Sequence, residues 1–289
     1  MRDVTVSPLH PIVLKLGGEL LEEPARLQAL SAAIAAIVGV KSASPAPLII
    51  VHGGGKEIDS ALAAAGIEKR QVDGLRITDE ATLHVVVSVL AGAVNTRLVA
   101  ALVAAGVPAV GLTGADAGCG LVEAAPPHRA VDGRVVDLGR VGIPSERSNV
   151  GVLTTLLEGG FVPVVACIGA NEAGQLFNVN ADTLAGHLAA RAKARRLVVA
   201  GTTAGVLDAK GSTVPLLGAD AVAQMIDAAT ATAGMIAKLR ACERALAGGV
   251  DEVVIVDGRD GAALEMVATT NRMPPNATGL IRPAATARV

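Results

Sequence analysis

Two short, mostly apolar segments near the start of the chain lead into consecutive glycines and then into a stretch with helical spacing of apolar residues: residues 12–16 directly, and residues 48–51 after His52. Short aliphatic runs bounded by turn residues are typical of strands that are buried on both faces of a sheet. Two such strand–helix units in succession make a βαβ crossover, and this connection joins parallel strands. The pattern therefore predicts an α/β fold with a parallel sheet.

The glycines at 53–55 also predict an anion-binding loop. Residues without a Cβ let backbone N–H groups approach a ligand closely, and Ile58 and Leu62 predict a helix directly after the glycines. The unpaired N–H groups and the positive dipole end of a helix N-terminus favour negative charge. A tight strand-to-helix turn without a ligand explains the same glycines, so both interpretations stay open at this point.

Lys15 lies inside the first apolar run, where an ammonium group without a partner is energetically costly. It either reaches solvent or meets an anion, and the neighbouring glycine loops favour the anion. Arg76 follows an Asp73-Gly74 turn, and its planar fork suits a carboxylate, although a surface arginine would fit the same position. Lys238 allows the same two interpretations, a site residue or a surface residue, because most helical lysines are solvated.

Asn178, Asn180 and Asp182 lie close together just before a predicted helix. Asn and Asp are ordinary helix caps, but one cap needs only one such residue. Asp182 is therefore a candidate for orienting lysines or for carrying Mg²⁺ through water.

The composition argues against several classes of partner. The chain has 289 residues, a net charge of −2, two Phe and no Trp or Tyr. Without stacking aromatics or a basic run, we expect no nucleic-acid binding. The three cysteines, Cys119, Cys167 and Cys242, show no CxxC spacing. An odd number of cysteines without CxxC spacing indicates a reducing compartment and no structural zinc, and we expect no metal site built by the protein.

The start of the chain lacks the basic-then-apolar layout of a signal peptide, so we expect a cytoplasmic protein. Residues 98–115 are uncharged and long enough to raise the question of a membrane span. Gly106 and Pro108 instead predict that a helix ends there and that a strand begins at Ala109. We therefore expect no membrane association.

Three further predictions depend on local pattern alone. Thr78 is predicted to be the N-cap of a long helix, with Asp79 and Glu80 in its first turn. Residues 131–136 are predicted to form a hairpin with a two-residue Asp132-Gly133 turn. Residues 161–168 are predicted to form a single strand.

Several familiar nucleotide and catalytic motifs are missing. The glycine loops match neither GxxxxGK[ST] nor GxGxxG, and a GxSxG elbow is missing. The chain instead offers two glycine loops, two candidate lysines, an arginine and an Asn/Asp cluster. Phosphoryl transfer needs mainly alignment and positive charge around the moving group. These residues therefore indicate a site for phosphate and carboxylate.

Six short motifs occur in order along the chain. They are Lys15-Leu16-Gly17-Gly18, His52-Gly53-Gly54-Gly55, Gly74-Leu75-Arg76, Asn178-Val179-Asn180-Ala181-Asp182, Gly205-Val206-Leu207-Asp208 and Gly234-Met235-Ile236-Ala237-Lys238. In this order they resemble the amino-acid kinase family and most closely its acetylglutamate branch, for which the Gly-Leu-Arg and Asn-Val-Asn-Ala-Asp motifs are the most specific. The resemblance runs from about residue 12 to about residue 282.

The resemblance implies a three-layer αβα sandwich with a central, mainly parallel sheet. It implies a single domain of two lobes, a substrate-binding and dimerisation lobe at about 1–175 and a nucleotide-binding lobe at about 176–289. The implied reaction transfers a phosphoryl group from ATP, with Mg²⁺ carried by the nucleotide, to the γ-carboxylate of N-acetyl-L-glutamate in arginine biosynthesis. Since only 11 residues precede the first strand, we expect a homodimer rather than an arginine-inhibited hexamer.

Positions within these motifs imply roles for individual residues. Lys15 and Lys238 would neutralise the transferring phosphoryl group, and Asp182 would hold both lysines in place. The acceptor carboxylate, with a pKa of about 4.3, is already ionised at neutral pH, so no general base is required. The residues implied to bind the acceptor are Gly54, Gly55, Arg76 and Asn178. The residues implied to bind the nucleotide are Gly17, Gly18, Thr202, Gly205, Leu207 and Thr232.

Two alternatives remain at the level of sequence. A sister kinase for an N-acyl-aminoadipate or a carrier-linked substrate would use the same anion chemistry, because a single methylene changes binding by only about 1–3 kcal/mol. A nucleotide- or amino-acid-sensing protein without catalysis is the other alternative. Gly201 and Ala233 support it because they depart from the family pattern near the nucleotide.

Overall fold

The computed structural model describes residues 9–40, 42, 46–208, 210–227 and 233–281. The helices are α1 (Pro24–Val38), α2 (Gly55–Ala64), α3 (Glu80–Val87), α4 (Asn95–Ala104), α5 (Gly151–Glu158), α6 (Ala181–Arg191), α7 (Ala219–Asp227), α8 (Ala233–Ala247) and α9 (Gly261–Thr269). The strands are β1 (Ile12–Leu16), β2 (Leu48–His52), β3 (Gln71–Val72), β4 (Leu75–Arg76), β5 (Ala109–Thr113), β6 (Val122–Ala124), β7 (His128–Arg129), β8 (Val135–Val136), β9 (Val141–Pro144), β10 (Val162–Ala166), β11 (Ile168–Ala170), β12 (Leu176–Val179), β13 (Arg196–Gly201), β14 (Leu216–Gly218), β15 (Glu252–Asp257) and β16 (Ala277–Ile281).

Eight strands form one central sheet in the order β14-β16-β15-β13-β1-β2-β10-β5. Six of its seven pairings are parallel, and only β15 and β16 pair antiparallel. The predicted α/β fold with a mainly parallel sheet is therefore confirmed. The sheet includes strands from both predicted lobes, and the lobe boundary near residue 175 stays a prediction.

Helices cover both faces of the sheet, because alternate residues of each strand point to opposite sides. On one face Ile12 packs in a core with Leu98 of α4 and Leu264 of α9. On the other face Val13 packs in a second core with Leu184 of α6. These two aliphatic layers complete the predicted three-layer αβα sandwich.

The parallel arrangement brings the chain segments that carry the motifs to one edge of the sheet. Gly17, Gly53, Cys167 and the end of β13 at Gly201 follow or end adjacent strands that run in the same direction. In open α/β sheets, ligands bind outside the carboxyl ends of such strands. This edge is therefore where a site is expected.

A long apolar helical stretch spans residues 80–104, in which the π-helical segment Ser88–Val94 joins α3 to α4. By length and composition alone, it is the one helix of the described residues that could cross a membrane. One side of it is buried in the two cores through Val86, Leu90, Val94, Leu98 and Leu102. Core helices of globular proteins have this pattern as well. The prediction that a strand begins at Ala109 is confirmed.

The predicted N-cap at Thr78 is wrong. Helix α3 begins at Glu80, and its N-cap is Asp79, whose carboxylate accepts a hydrogen bond from the Thr82 N–H at 2.9 Å. Thr78 is fully buried, and its hydroxyl accepts a hydrogen bond from the Asn178 amide at 3.2 Å. A tertiary contact across 100 residues thus takes the place of the local cap.

Two other local predictions also need correction. The ladder of β7 and β8 pairs Arg129 with Val135, so residues 130–134 form a longer loop than the predicted two-residue turn. The reason is that Ala130 turns inward and packs in a small core with Val72 and Leu138. The predicted strand at 161–168 is divided at Cys167, where the chain leaves the central sheet and β11 pairs with β12 instead.

Candidate active site

A cavity of about 410 Å³ opens at the carboxyl ends of the central strands. Its walls come from the loops after β1 and β2, from the β3–β4 hairpin and from the segment that leads into α6. The predicted residues that line it are Lys15, Gly17, Gly18, Gly54, Gly55, Arg76 and Asn178. The structure therefore brings together residues that are up to 163 positions apart in the chain.

Two lysines share one carboxylate beside this cavity, and of these three residues Lys15 lines it, whereas Asp182 and Lys238 lie behind its walls. The Lys15 Nζ lies 2.9 Å from Oδ1 of Asp182, and the Lys238 Nζ lies 3.8 Å from the same oxygen. All three side chains are mostly buried, with exposed fractions of 9%, 13% and 14% for Lys15, Asp182 and Lys238. Two ammonium groups on one carboxylate in a region of low dielectric favour an anion, although the weaker charge interaction of Glu19, which also lines the cavity, partly offsets the positive charge of both lysines.

Burial and the neighbouring charges set the ionisation of this group. Burial lowers the pKa of Lys15, but the charge and the hydrogen bond of Asp182 outweigh burial, so its pKa is raised overall. Burial and then the positive charge of Lys15 lower the pKa of Lys238. Burial raises the pKa of Asp182, but the two lysines outweigh it and the pKa is lowered. Lys15 and Asp182 are therefore a charged pair at neutral pH.

The two glycine loops touch each other at Gly18 and Gly54. A Cβ on Gly18 would lie 2.7 Å from the Gly54 Cα, which is closer than real Cβ contacts come. A side chain at this position would therefore push the loops apart. In the described part of the chain the Gly54 N–H makes no hydrogen bond, and α2 begins at the next residue with its positive dipole end toward the cavity. These N–H groups suit a bound phosphate or carboxylate.

Arg76 lines the same cavity, and one terminal nitrogen of its guanidinium lies 3.4 Å from the Gly55 carbonyl oxygen. Its side chain is 9% exposed and pairs through the same nitrogen with Asp59. The other terminal nitrogen is buried and lacks a hydrogen-bond partner among the described residues. Since an unpaired buried donor is costly, a ligand carboxylate is its natural partner.

Sequence reasoning missed Asp59, which lines the cavity and also binds the Lys69 ammonium at 2.6 Å. The two cations lower the pKa of Asp59 although burial opposes them. One signal could have identified this residue. Asp59 lies four positions after Gly55 and thus on the same face of α2.

The structure gathers only some of the residues that are expected to bind the nucleotide around the cavity. Gly17 and Gly18 line the cavity, whereas Thr202, Gly205 and Leu207 lie beyond its walls, after β13. Gly205 has a φ of +73°, and a Cβ there would lie 2.5 Å from the Thr278 hydroxyl, so glycine is required. Leu207 is 47% exposed and open to a ligand. Thr232 lies outside the described residues.

This arrangement can hold two anions next to each other. One position, at Lys15, Lys238 and the glycine loops, is rich in positive charge and N–H donors. The other, at Arg76, suits a second carboxylate. Such a layout supports transfer of a phosphoryl group onto a carboxylate, because charge stabilisation and alignment supply most of the catalysis.

Comparison with known proteins agrees with this chemistry. Residues 10–257 match the model of the amino acid kinase family. The chain is 39% identical to the acetylglutamate kinase of Novosphingobium aromaticivorans over 90% of this chain and 87% of that protein. It is 41% identical to the acetylglutamate kinase of Methanopyrus kandleri over 85% of this chain and 94% of that protein.

A solved structure with the same fold is the N-acetylglutamate synthase of Neisseria gonorrhoeae in complex with coenzyme A and N-acetyl-glutamate. The TM-score is 0.78 at 25% identity, over 95% of this chain and 60% of that one. The fold, the matched family model and the curated relatives agree. The chain belongs to the amino acid kinase family and, within it, to the acetylglutamate kinases.

Proposed function

We propose that this enzyme phosphorylates the γ-carboxylate of N-acetyl-L-glutamate with ATP and forms N-acetyl-L-glutamyl 5-phosphate, a step of arginine biosynthesis. The observation that carries the proposal is that Lys15 and Lys238 share Asp182 beside the glycine loops, in a site that also contains a terminal nitrogen of Arg76 without a hydrogen-bond partner among the described residues. The curated relatives named acetylglutamate kinase support the choice of acceptor.

The proposed mechanism assigns alignment and charge to the protein. Lys15 and Lys238 neutralise the phosphoryl oxygens as the group moves, and Asp182 keeps the two ammonium groups at a fixed separation. The N–H groups of the glycine loops hold the reacting ends together. The acceptor carboxylate attacks in its ionised form, so no side chain has to remove a proton. Mg²⁺ enters with ATP as part of the substrate.

Nucleotide binding is proposed for the other side of the cavity. Gly17 and Gly18 would contact the phosphates, and the segment with Thr202, Gly205 and Leu207 would contact the nucleoside. Lys238 supports this direction, because its Nζ lies 3.9 Å from the position that a Cβ on Gly201 would take. The lysine thus connects the phosphoryl position to the end of β13.

Arg76→Lys tests the carboxylate site. Arg76 and Asn178 are proposed to bind the α-carboxylate, and lysine cannot reproduce the two-point geometry. Since a hydrogen bond to a charged group contributes about 1.5–3 kcal/mol, the KM for N-acetyl-L-glutamate is expected to rise about 10- to 100-fold. The KM for MgATP is expected to stay unchanged. Both constants are measured by coupled ADP release.

Arg134→Lys is the matched control, because Arg134 is 73% exposed on the β7–β8 loop. A rise of both KM values in Arg76→Lys, or of neither, would contradict the assignment of Arg76.

A substrate panel tests the acceptor itself. N-acetyl-L-aspartate, N-acetyl-L-glutamate and N-acetyl-L-2-aminoadipate differ by one methylene each, which changes binding by about 1–3 kcal/mol. We expect the highest kcat/KM for N-acetyl-L-glutamate. A higher value for the aminoadipate would assign the enzyme to the sister reaction.

We also propose that the enzyme forms a homodimer through the edge of the sheet at β5. Within the described part of the chain, this strand pairs only with β10 in the central sheet, and no strand lies along its other edge. Next to it on α4, Val103 is an exposed large apolar side chain. An open apolar edge strand is costly to leave uncovered, and a second copy can continue the sheet.

Val103→Glu is therefore expected to weaken association. Light scattering should give about twice the chain mass of 28.8 kDa for the wild type. The variant should shift toward the monomer on dilution, because the carboxylate would be buried without a partner. Val131→Glu, on an 89% exposed side chain, is the control. A monomeric wild type, or a variant that associates as tightly as wild type, would contradict this interface.

A further inference from the structure

His52 ends strand β2 directly before the glycine loop, and its side chain is fully buried. The ring contacts two groups. Its Nε2 lies 3.0 Å from the side-chain nitrogen of Asn95, and its Nδ1 lies 3.1 Å from the Gly53 carbonyl oxygen. Asn95 is buried as well and begins α4, immediately after the π-helical segment. The proposed phosphoryl transfer does not use either side chain.

The surroundings of Asn95 determine which hydrogen bonds exist. Its Nδ2 lies 3.0 Å from the Val164 carbonyl oxygen and 3.4 Å from that of Leu112. Carbonyl oxygens only accept, so this end of the side chain must be the amide nitrogen. Toward His52 the same nitrogen donates, and Nε2 must therefore accept. The ring proton is then on Nδ1, from which it is donated to the Gly53 carbonyl.

These bonds fix the first peptide groups of the glycine loop. His52 holds the Gly53 carbonyl, and the Gly53 N–H donates to the Leu16 carbonyl at 3.3 Å. The next residue, Gly54, packs on the π-helical segment, since a Cβ on it would lie 2.9 Å from Leu90 and 3.3 Å from Val94. The bond from His52 and the packing of Gly54 on the helical stretch that leads into Asn95 therefore set the direction of the Gly54 N–H together.

We propose that His52 and Asn95 are positioning residues, which orient the glycine loop so that the N–H groups of Gly54 and Gly55 face the acceptor substrate. This inference rests on the proposed function of those N–H groups. Gly111 belongs to the same arrangement, because a Cβ there would lie 2.2 Å from the Asn95 side-chain oxygen. The glycine in β5 leaves the space that Asn95 occupies.

The ring acts as a neutral group. The pKa of His52 is lowered to about 4, because burial and the weaker effect of the Arg97 charge outweigh the hydrogen bond to Gly53, which raises it. A neutral imidazole can donate from one nitrogen and accept at the other, as the two contacts require. The positioning bonds are therefore expected to persist between about pH 5 and pH 9.

Two substitutions separate the two bonds. In His52→Asn the amide nitrogen can occupy the place of Nδ1 and donate to Gly53, while the bond with Asn95 is lost. In His52→Gln the side-chain oxygen can occupy the place of Nε2 and accept from Asn95, while the bond with Gly53 is lost. Since misplacement of a binding group by about 1 Å costs up to about 100-fold, kcat/KM for the acceptor is expected to fall about 10- to 100-fold in His52→Gln.

The expected pattern is a higher KM for N-acetyl-L-glutamate in His52→Gln, an unchanged KM for MgATP, and a smaller but measurable rise of the acceptor KM in His52→Asn, which keeps the bond to Gly53 and loses the support of Asn95. Equal and parallel losses for both substrates that follow the thermal stability would show a merely structural role and overturn the inference. Wild-type values in both variants would overturn it as well. Wild-type enzyme in the same assay separates the two proposals, because a wild type without product contradicts the function itself.

A measurement on the wild type does not depend on whether the variants fold. Nitrogen NMR of the labelled imidazole is expected to show the Nδ1–H tautomer for one histidine, unchanged from pH 5 to pH 9, and this signal should be absent in His52→Asn. An Nε2–H tautomer, or a titration of this ring near its ordinary pKa of about 6.5, would overturn the inference.

Discussion

Replacement of Lys15 by methionine is expected to lower kcat about 10²- to 10³-fold, the usual loss when one preorganised donor to a transition-state charge is removed. Methionine keeps the length and apolar stem of the side chain but removes the ammonium group that lies 2.9 Å from Asp182. The moving phosphoryl group then meets one lysine instead of two. Because the substrates keep their other contacts, both KM values are expected to change much less than kcat. Steady-state kinetics with coupled ADP detection measures both.

Lys193→Met is the matched control, since Lys193 is exposed and lies before the start of β13, away from the cavity. A variant Lys15→Met with wild-type kcat would contradict the role of Lys15 in charge neutralisation. A change confined to the KM for one substrate would instead assign it to binding.

The second large effect is expected for Asp182→Asn. Removal of one partner from a buried ion pair leaves uncompensated charge and costs about 3–5 kcal/mol of unfolding free energy. Here two buried ammonium groups lose their shared carboxylate. Their separation also becomes less defined, so kcat is expected to fall along with stability. Urea denaturation, followed by circular dichroism, measures the free energy of unfolding.

The pH dependence of this difference has a definite sign. The pKa of Asp182 is lowered in the folded protein, because the attraction of Lys15 and Lys238 outweighs burial. Its contribution to stability is therefore fully present above the unfolded pKa of about 3.9 and is lost as the pH falls through the folded pKa. Wild type and variant should differ most near pH 7 and converge at acidic pH. Asp132→Asn, on an exposed loop, is the control, and a pH-independent difference would contradict the ionic role.

Local pattern was sufficient where sequence neighbours decide the structure. The apolar runs of β1 and β2 and the glycines after them predicted two strands and their crossover. Lys15 was also informative, because a lysine inside a buried strand needs a counter-charge. The structure supplies one in Asp182, 167 residues later in the sequence.

Local pattern failed where tertiary contacts override it. Thr78 has the chemistry of an N-cap, but Asn178 binds its hydroxyl, and Asp79 takes the cap. Strand β16 is not predictable from its own sequence for a related reason. Its sequence, Ala-Thr-Gly-Leu-Ile, reads as a tail, and it becomes a strand by pairing with β14 and β15 on either side.

The sequence predicted which residues form the candidate site, but it did not predict the side-chain contacts that position them. Motif order placed Lys15, Arg76 and Asn178 in one site, and the structure has them around one cavity. Neither the pairing of Arg76 with Asp59 nor the contact of His52 with Asn95 follows from spacing. Both join segments whose approach depends on how the helices pack on the sheet.

The most direct test of acyl-phosphate formation is a hydroxylamine trap. Purified enzyme is incubated with MgATP, N-acetyl-L-glutamate and hydroxylamine, and the hydroxamate is identified by mass, with Lys15→Met as the control. We predict hydroxamate of N-acetyl-glutamate that requires both substrates and nearly disappears in Lys15→Met. Enzyme that binds MgATP but forms no hydroxamate would contradict phosphorylation of the γ-carboxylate.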